Sequence, residues 1–386
     1  MRNEAVLLLT ALTLVALPSL AVADHVGLED LHEVLPRDAI PAIRNPTFAE
    51  EDYLGGDELV VGLEVGTDAR AYPVKILNHH EIVNDVVGGV PVAVTFCPLC
   101  NTAIVYDRRV DGQVLTFGVS GLLFKSNLVM YDEETESLWV QITSEAIQGP
   151  LHGAKLETIL ATVIEWNGWK ARYPESLLFD YPFPRCGPSR QIDEPVIEGS
   201  CIDYDVDPYG WYVLNEEVYF GAVYDDRILH PKAVVLGLRV GSIAMAYPYE
   251  VLANDVLIND QVNGLDIVVA FHDSSAKAFE RRGLTFQPDG GRYMKDDLGR
   301  KWDVVTGEGE GGQLEEVPST MAFWFAWAEF NEGTGVYGVR EPLASGERSF
   351  PLTYLALSAV ALPGVAYYIH RRRKRRGVSK TPPEQI

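Results

Sequence analysis

The chain has 386 residues, 47% of them hydrophobic and 10% aromatic, so it carries enough apolar side-chain material for packed cores and is not a disordered chain. Acidic residues outnumber basic ones 55 to 32, and the formal charge of −23 excludes nucleic acid as a partner, because phosphate backbones are bound by cationic surfaces.

In chain order, the first expected element is a secretory signal over residues 1–23. Arg2 precedes an apolar stretch from Ala5 to Leu20, and Ala21-Val22-Ala23 stands ahead of Asp24 as a cleavage site. The body then reads as strand and turn. Pro91 to Phe96 is a β-branched run, and Ile104 to Asp107 and Val114 to Phe117 flank Asp111-Gly112, a hairpin signature. Further strands are expected at Leu128 to Tyr131 and Leu138 to Ile142. An amphipathic helix is expected around Val163 to Tyr173, with Trp166 and Trp169 as core anchors on one face.

Residues 181–215 form a turn-rich connector, and a second helix with Trp324 and Trp327 is expected around Met321 to Phe330. Phe350 to Ile369 is an uncharged run of 20 residues, long enough to cross a bilayer as a single span. Six consecutive basic residues from Arg371 to Arg376 follow, so the tail 370–386 is expected on the cytoplasmic side of the cell membrane and the body outside. Without the two ends the body has 24 Lys and Arg against 53 Asp and Glu, a formal charge of −29. The acids are spread along the whole body, which points to solubility in very high salt.

The body repeats itself. Val61-Gly62-Leu63-Glu64-Val65-Gly66 recurs as Leu236-Gly237-Leu238-Arg239-Val240-Gly241, 175 positions later. In the same register Ala71-Tyr72-Pro73 returns as Ala246-Tyr247-Pro248, Asn84-Asp85 as Asn259-Asp260, and Phe96 as Phe271. The expected fold is therefore mainly β. Two homologous β-barrel or sandwich-like units, residues 24–180 and 216–340, would each carry a short covering helix, with one C-terminal transmembrane helix beyond them.

The four cysteines divide into two pairs. Cys186 and Cys201 lie in the connector, where an oxidising compartment favours a structural disulfide closing a loop of about 15 residues and worth roughly 3 kcal/mol. Cys97-Pro98-Leu99-Cys100 instead places two thiols at one turn, where they can share a metal or pair reversibly. The second copy supplies a control: Cys97 aligns with His272, Cys100 with Ser275, and Asn78-His79-His80-Glu81 with Ala253-Asn254-Asp255-Val256. Thiols and histidines are lost together, as expected if they converge on one site.

Three uses of the pair compete. A thioredoxin-type motif needs the second cysteine to enter a helix, yet Thr102 to Tyr106 reads as strand. A closed zinc knuckle needs a second pair that the chain lacks. The third is a soft metal site of His80, Cys97, Cys100 and Met130, taking copper ahead of zinc, with Glu81 and Asp85 orienting His80 or acting as general base. A thiol-disulfide oxidoreductase using Cys97 and Cys100, and a non-catalytic surface scaffold, stay open as alternatives. No Gly-x-Ser-x-Gly elbow, Walker loop, His-Glu-x-x-His helix or dinucleotide fingerprint occurs.

At Phe96-Cys97-Pro98-Leu99-Cys100-Asn101-Thr102-Ala103 the chain resembles the domain-of-unknown-function family 3179 (DUF 3179) of haloarchaea and bacteria. His80-Glu81-Ile82-Val83-Asn84-Asp85, Gly118-Val119-Ser120-Gly121, Met130-Tyr131-Asp132, Glu136-Ser137-Leu138-Trp139 and Asp207-Pro208-Tyr209-Gly210 carry the same resemblance, which runs from about Ile40 to Tyr337. Family members usually have Gly after the second cysteine, where this chain has Asn101, a residue that tolerates left-handed backbone. The resemblance implies an exported, membrane-associated protein of a salt-loving archaeon. It supplies no reaction.

Overall fold

The strands begin where β-branched runs meet tight turns. A computed structural model describes residues 27–185, 201–222, 226 and 228–339. The signal expected at 1–23, the span at 350–369, the tail at 370–386 and Cys186 lie outside the described residues. Among the described residues no helix is long and apolar enough to cross a membrane.

The fold is mainly β. In the first half, β1 (Leu59–Val65) and β2 (Asp68–Pro73) form a hairpin, α1 (Val74–His80) follows, and β3 (Ile82–Val87), β4 (Val90–Cys97) and β5 (Thr102–Asp107) make an antiparallel meander. A five-stranded sheet is built around β6 (Phe117–Phe124) and β7 (Asn127–Asp132). Finally β8 (Thr162–Glu165) returns to pair with β1, and α2 (Trp166–Arg172) leads directly from it. The connector carries one turn of helix, α3 (Gly210–Val213).

The second half repeats these pairings with β9 (Val234–Val240), β10 (Ile243–Pro248), α4 (Tyr249–Asp255), β11 (Leu257–Val262), β12 (Leu265–His272) and β13 (Ser275–Glu280). Its β14 (Ser319–Phe323) pairs with β9 as β8 pairs with β1, and α5 (Trp324–Phe330) leads from it. Side-chain bonds repeat as well. Asn84 exchanges two hydrogen bonds with the Phe117 backbone, and Asn259 does the same with Phe286. The indole of Trp139 donates to Asp132 and that of Trp302 to Asp296, while Trp169 donates to Ser176 and Trp327 to Thr334.

Three expectations need correction. The sheets are open, with linear strand orders, so among the described residues neither half is a closed barrel. The helix expected from Val163 starts at Trp166, because Thr162–Glu165 is extended and bonded to β1; the one expected from Met321 starts at Trp324 for the same reason. Helices α1 and α4 were not foreseen, since seven residues are too few for a helical period to show.

Strand β4 lies between two cores, which explains its nearly continuous apolar run. Val92, Val94 and Phe96 pack with Leu77, Val83 and Tyr204, whereas Ala93 and Cys97 pack with Met130, Trp139, Tyr212 and Phe325.

Gly62 and Gly237 lie under the Trp169 and Trp327 indoles, and a Cβ at either position would overlap the ring. Gly62→Ala and Gly237→Ala are each expected to cost about 1–3 kcal/mol through forced repacking. Denaturant unfolding measures this; a loss at only one site would show that the two halves do not pack their tryptophans equivalently.

Candidate functional site

The two thiols of the sequence motif do come together, at the tip of a hairpin. Cys97 pairs with Thr102, and Pro98-Leu99-Cys100-Asn101 forms the loop between them, closed by Asn101 at φ 53. In the second half His272 pairs with Ser275 across only Asp273-Ser274, both at positive φ. Ser275 is therefore the counterpart of Thr102, not of Cys100. Cys97 corresponds to His272, while Cys100 belongs to a loop two residues longer and has no equivalent.

Cys97 is 2% exposed and Cys100 fully buried. They are not bridged. The Cys100 and Cys97 sulfurs lie 3.3 and 3.9 Å from the Ser126 carbonyl oxygen. That carbonyl sits on a turn in which Lys125 and Ser126 both have positive φ, and the turn is held by Ser126 N–H and Oγ–H bonds to the carbonyls of Phe220 and Tyr219.

The thiols are electrostatically unlike. Burial raises the Cys97 pKa, but hydrogen bonds from the Cys100 thiol and from the N–H groups of Leu128, Cys100 and Leu99 outweigh it and hold Cys97 below the usual thiol range. Burial and the neighbouring Cys97 push Cys100 well above it. A proton therefore leaves Cys97 first. Beside Cys97 stands the buried Glu81 carboxyl, pushed up to about 8 by desolvation and by Cys97 itself, with the Tyr209 hydroxyl donating to its Oε1 at 3.5 Å. Glu81 ends α1 at φ 57, and Val256 ends α4 at φ 49, so this backbone twist belongs to the fold and only the carboxyl is particular to the first half.

Three further groups close the site. Tyr212 is fully buried against the thiols, and its hydroxyl has no hydrogen-bond partner among the described residues. Lys232, 2% exposed, reaches the same cluster from the start of the second half, with Nζ 3.9 Å from the Tyr212 ring centroid. Phe323 N–H donates to the Cys100 carbonyl at 2.8 Å. The sequence singled out Glu81 and, within Asp207-Pro208-Tyr209-Gly210, Tyr209, but neither Tyr212 nor Lys232. Lys232 carries one signal in the sequence: its counterpart in the repeat is Asp57.

Other predicted site residues lie elsewhere. His80 is buried, but its Nδ1 contacts the Pro41 carbonyl and its Nε2 the Tyr204 hydroxyl, each at 2.8 Å, and the ring stacks on Phe183. It faces the core that takes Phe96, so the pleat of β4 separates it from Cys97. Desolvation lowers its pKa to about 4, leaving it neutral. Asp85 accepts hydrogen bonds from Arg70 and Tyr72, and Asp260 accepts one from Tyr247 in the half without thiols, so Asp85 serves the fold. Met130 does pack in the core that holds the thiols, opposite Trp139. Met294, however, holds the same place opposite Trp302, so the internal control reads Met130 as packing.

His80 is not brought to the thiols. Both His80 nitrogens are engaged, and among the described residues no group of three or more His, Cys, Asp or Glu is placed to hold an ion. The arrangement instead defines a mainly β protein with a buried, asymmetric dithiol and a proton-holding carboxyl. Residues 37–334 match the family model described as "Protein of unknown function (DUF3179)", and the chain belongs to that family. Neither a curated protein nor a solved structure matches it.

The Glu81 pKa has a sign that can be measured. Its ordinary value is 4.5 and its folded value about 8, so between them the folded chain holds a proton that the unfolded chain has lost. Stability therefore falls as pH rises through that window. Between pH 6.5 and pH 8 folded His80 is neutral, and the contribution of the unfolded group, half protonated at its ordinary value of 6.5, is common to both proteins and cancels in their comparison. There Glu81→Gln is expected to remove a decline on the order of 1–2 kcal/mol, read from denaturant unfolding at several pH values. Parallel curves for the two proteins would mean that Glu81 ionises normally.

Proposed function

We propose that this protein is a thiol-disulfide redox protein whose working group is the Cys97/Cys100 dithiol, carried outside the cell on a single C-terminal span at 350–369 and exported by a signal removed after Ala23. Its two halves are read as a duplicated unit in which only the first keeps the thiols. The observation that carries this reading is the unlike pair of thiols with a buried, protonated Glu81 beside the more acidic one.

The chemistry balances as exchange with a partner disulfide. Cys97 thiolate attacks one partner sulfur; the new S–S bond forms as the partner's own S–S bond breaks, and the leaving thiolate takes the Glu81 proton. Cys100 then loses its proton to the Glu81 carboxylate and attacks the Cys97 sulfur, which closes the internal disulfide and releases the partner's second thiolate. Two electrons pass to the partner. Both sulfurs are buried in a core that also holds Tyr212 and Val213, so exchange requires part of that packing to open.

The test is a redox titration of the full-length protein in graded dithiol buffers, with the state of Cys97 and Cys100 read by mass-tagged alkylation and metal content measured in parallel. The expected result is a two-electron couple within the range of biological dithiols, roughly −300 to −120 mV, abolished by Cys97→Ser. One copper or zinc per chain that vanishes in that variant would make the pair a soft-metal site instead. Thiols that never oxidise, with no metal, would leave a structural role.

A further inference from the structure

Lys232 is an anomaly in this chain. Acidic residues outnumber basic ones 55 to 32, yet this buried ammonium meets no carboxylate among the described residues. Its Nζ donates to the Glu217 carbonyl at 2.7 Å and otherwise faces rings, Tyr212 at 3.9 Å and Phe325 at 5.1 Å to the centroids. A buried cation without an anion is costly, and aromatic faces offset only part of that cost. Other lysines with low exposure have carboxylates: Lys75 pairs with Glu58, and Lys277 with Glu316.

We infer that the missing counter-anion is the thiolate of the Cys97/Cys100 pair, and that Lys232, from the second half, is the positioning residue that stabilises this thiolate. Four observations meet here. The Tyr212 ring that carries the ammonium packs in one core with both thiols, and Phe325 belongs to that core too. Charge attraction between Lys232 and Cys100 acts on both groups, and desolvation brings the ammonium down to about 8, as expected of a cation whose partner is only partly ionised. The Tyr212 hydroxyl next to them has no hydrogen-bond partner among the described residues. Finally, the repeat places Asp57 at the position of Lys232, a register fixed by equivalent bonds from Trp166 N–H to the Glu58 carbonyl and from Trp324 N–H to the Ala233 carbonyl. The cation occurs in the copy that approaches the thiols. Its remaining titratable neighbours are His230, which it disfavours as a cation, and Tyr212; Glu81 and Tyr209 act on the pair from the Cys97 side.

The inference rests on the redox reading for its consequence, since a cation that favours thiolate favours the reduced form and makes the dithiol the stronger oxidant. In the full-length protein, Lys232→Met is expected to slow Cys97 alkylation at pH 7 at least tenfold and to shift the dithiol-disulfide equilibrium at least tenfold toward disulfide. Lys232→Arg should restore most of both. A folded Lys232→Met protein with the wild-type alkylation pH profile and equilibrium would overturn the inference.

If Lys232→Met does not fold, the lysine itself can be read in protein that retains it. The acetylation rate of Lys232, followed by mass spectrometry at pH 8, should rise severalfold in Cys97→Ser/Cys100→Ser, because loss of the anion favours the neutral amine. An unchanged rate would overturn the pairing. That comparison needs no redox couple, so it separates failure of this inference from failure of the redox reading, which the titration of the wild-type protein decides alone.

Discussion

Two reciprocal hydrogen bonds organise the molecule. The carbonyl of Cys100, on the hairpin loop of the first half, accepts the Phe323 N–H at the start of α5; the carbonyl of Asp273, on the hairpin loop of the second half, accepts the Glu165 N–H at the start of α2. Each loop thus takes the N–H of the residue just before the other half's tryptophan helix, while the leading N–H groups of the helices bond within their own half, Trp166 to Glu58 and Trp324 to Ala233. Around these bonds Phe323, Phe325 and Ala326 join the core of the thiols, while Trp166 and Trp169 join that of Phe286, Met294 and Trp302. Neither half completes its interior alone.

The same exchange places chemistry at one of the two junctions. At the first, the longer loop supplies Cys100, the end of α1 supplies Glu81, the connector supplies Tyr209 and Tyr212, and the second half supplies Lys232. At the second, the shorter loop presents Asp273 and Ser274, which are absorbed by contacts across the junction: Asp273 pairs with Arg172, and Ser274 donates to Glu165. Duplicated geometry therefore yields one junction that holds the dithiol and one that does not. The backbone twist that aims Glu81 is shared with Val256, so no special strain had to be created for it.

The repeated landmarks were legible because they are local. Tyr72 and Tyr247, Asn84 and Asn259, and the paired tryptophans make the same side-chain bonds in both halves, and each is needed wherever those bonds are needed. The choice of Cys97 and Cys100 came from the same comparison. His80 misled it, since its loss from the second copy coincides with that of the thiols although it packs on the other side of β4, against a connector tyrosine. Co-occurrence along a chain does not reveal which face of a sheet a residue occupies when a helix end intervenes.

By itself the sequence determined the β character, the thiol pair at a turn and the strand after it, because apolar alternation and turn chemistry act over a few residues. Only the tertiary structure decided that Cys100 has no counterpart, that Met130 and Asp85 serve packing and ion pairing, and that Lys232 stands at the thiols. The first is a matter of register, and the last of contact between segments more than a hundred residues apart. A buried charge is recognisable only once the surfaces that bury it are in place.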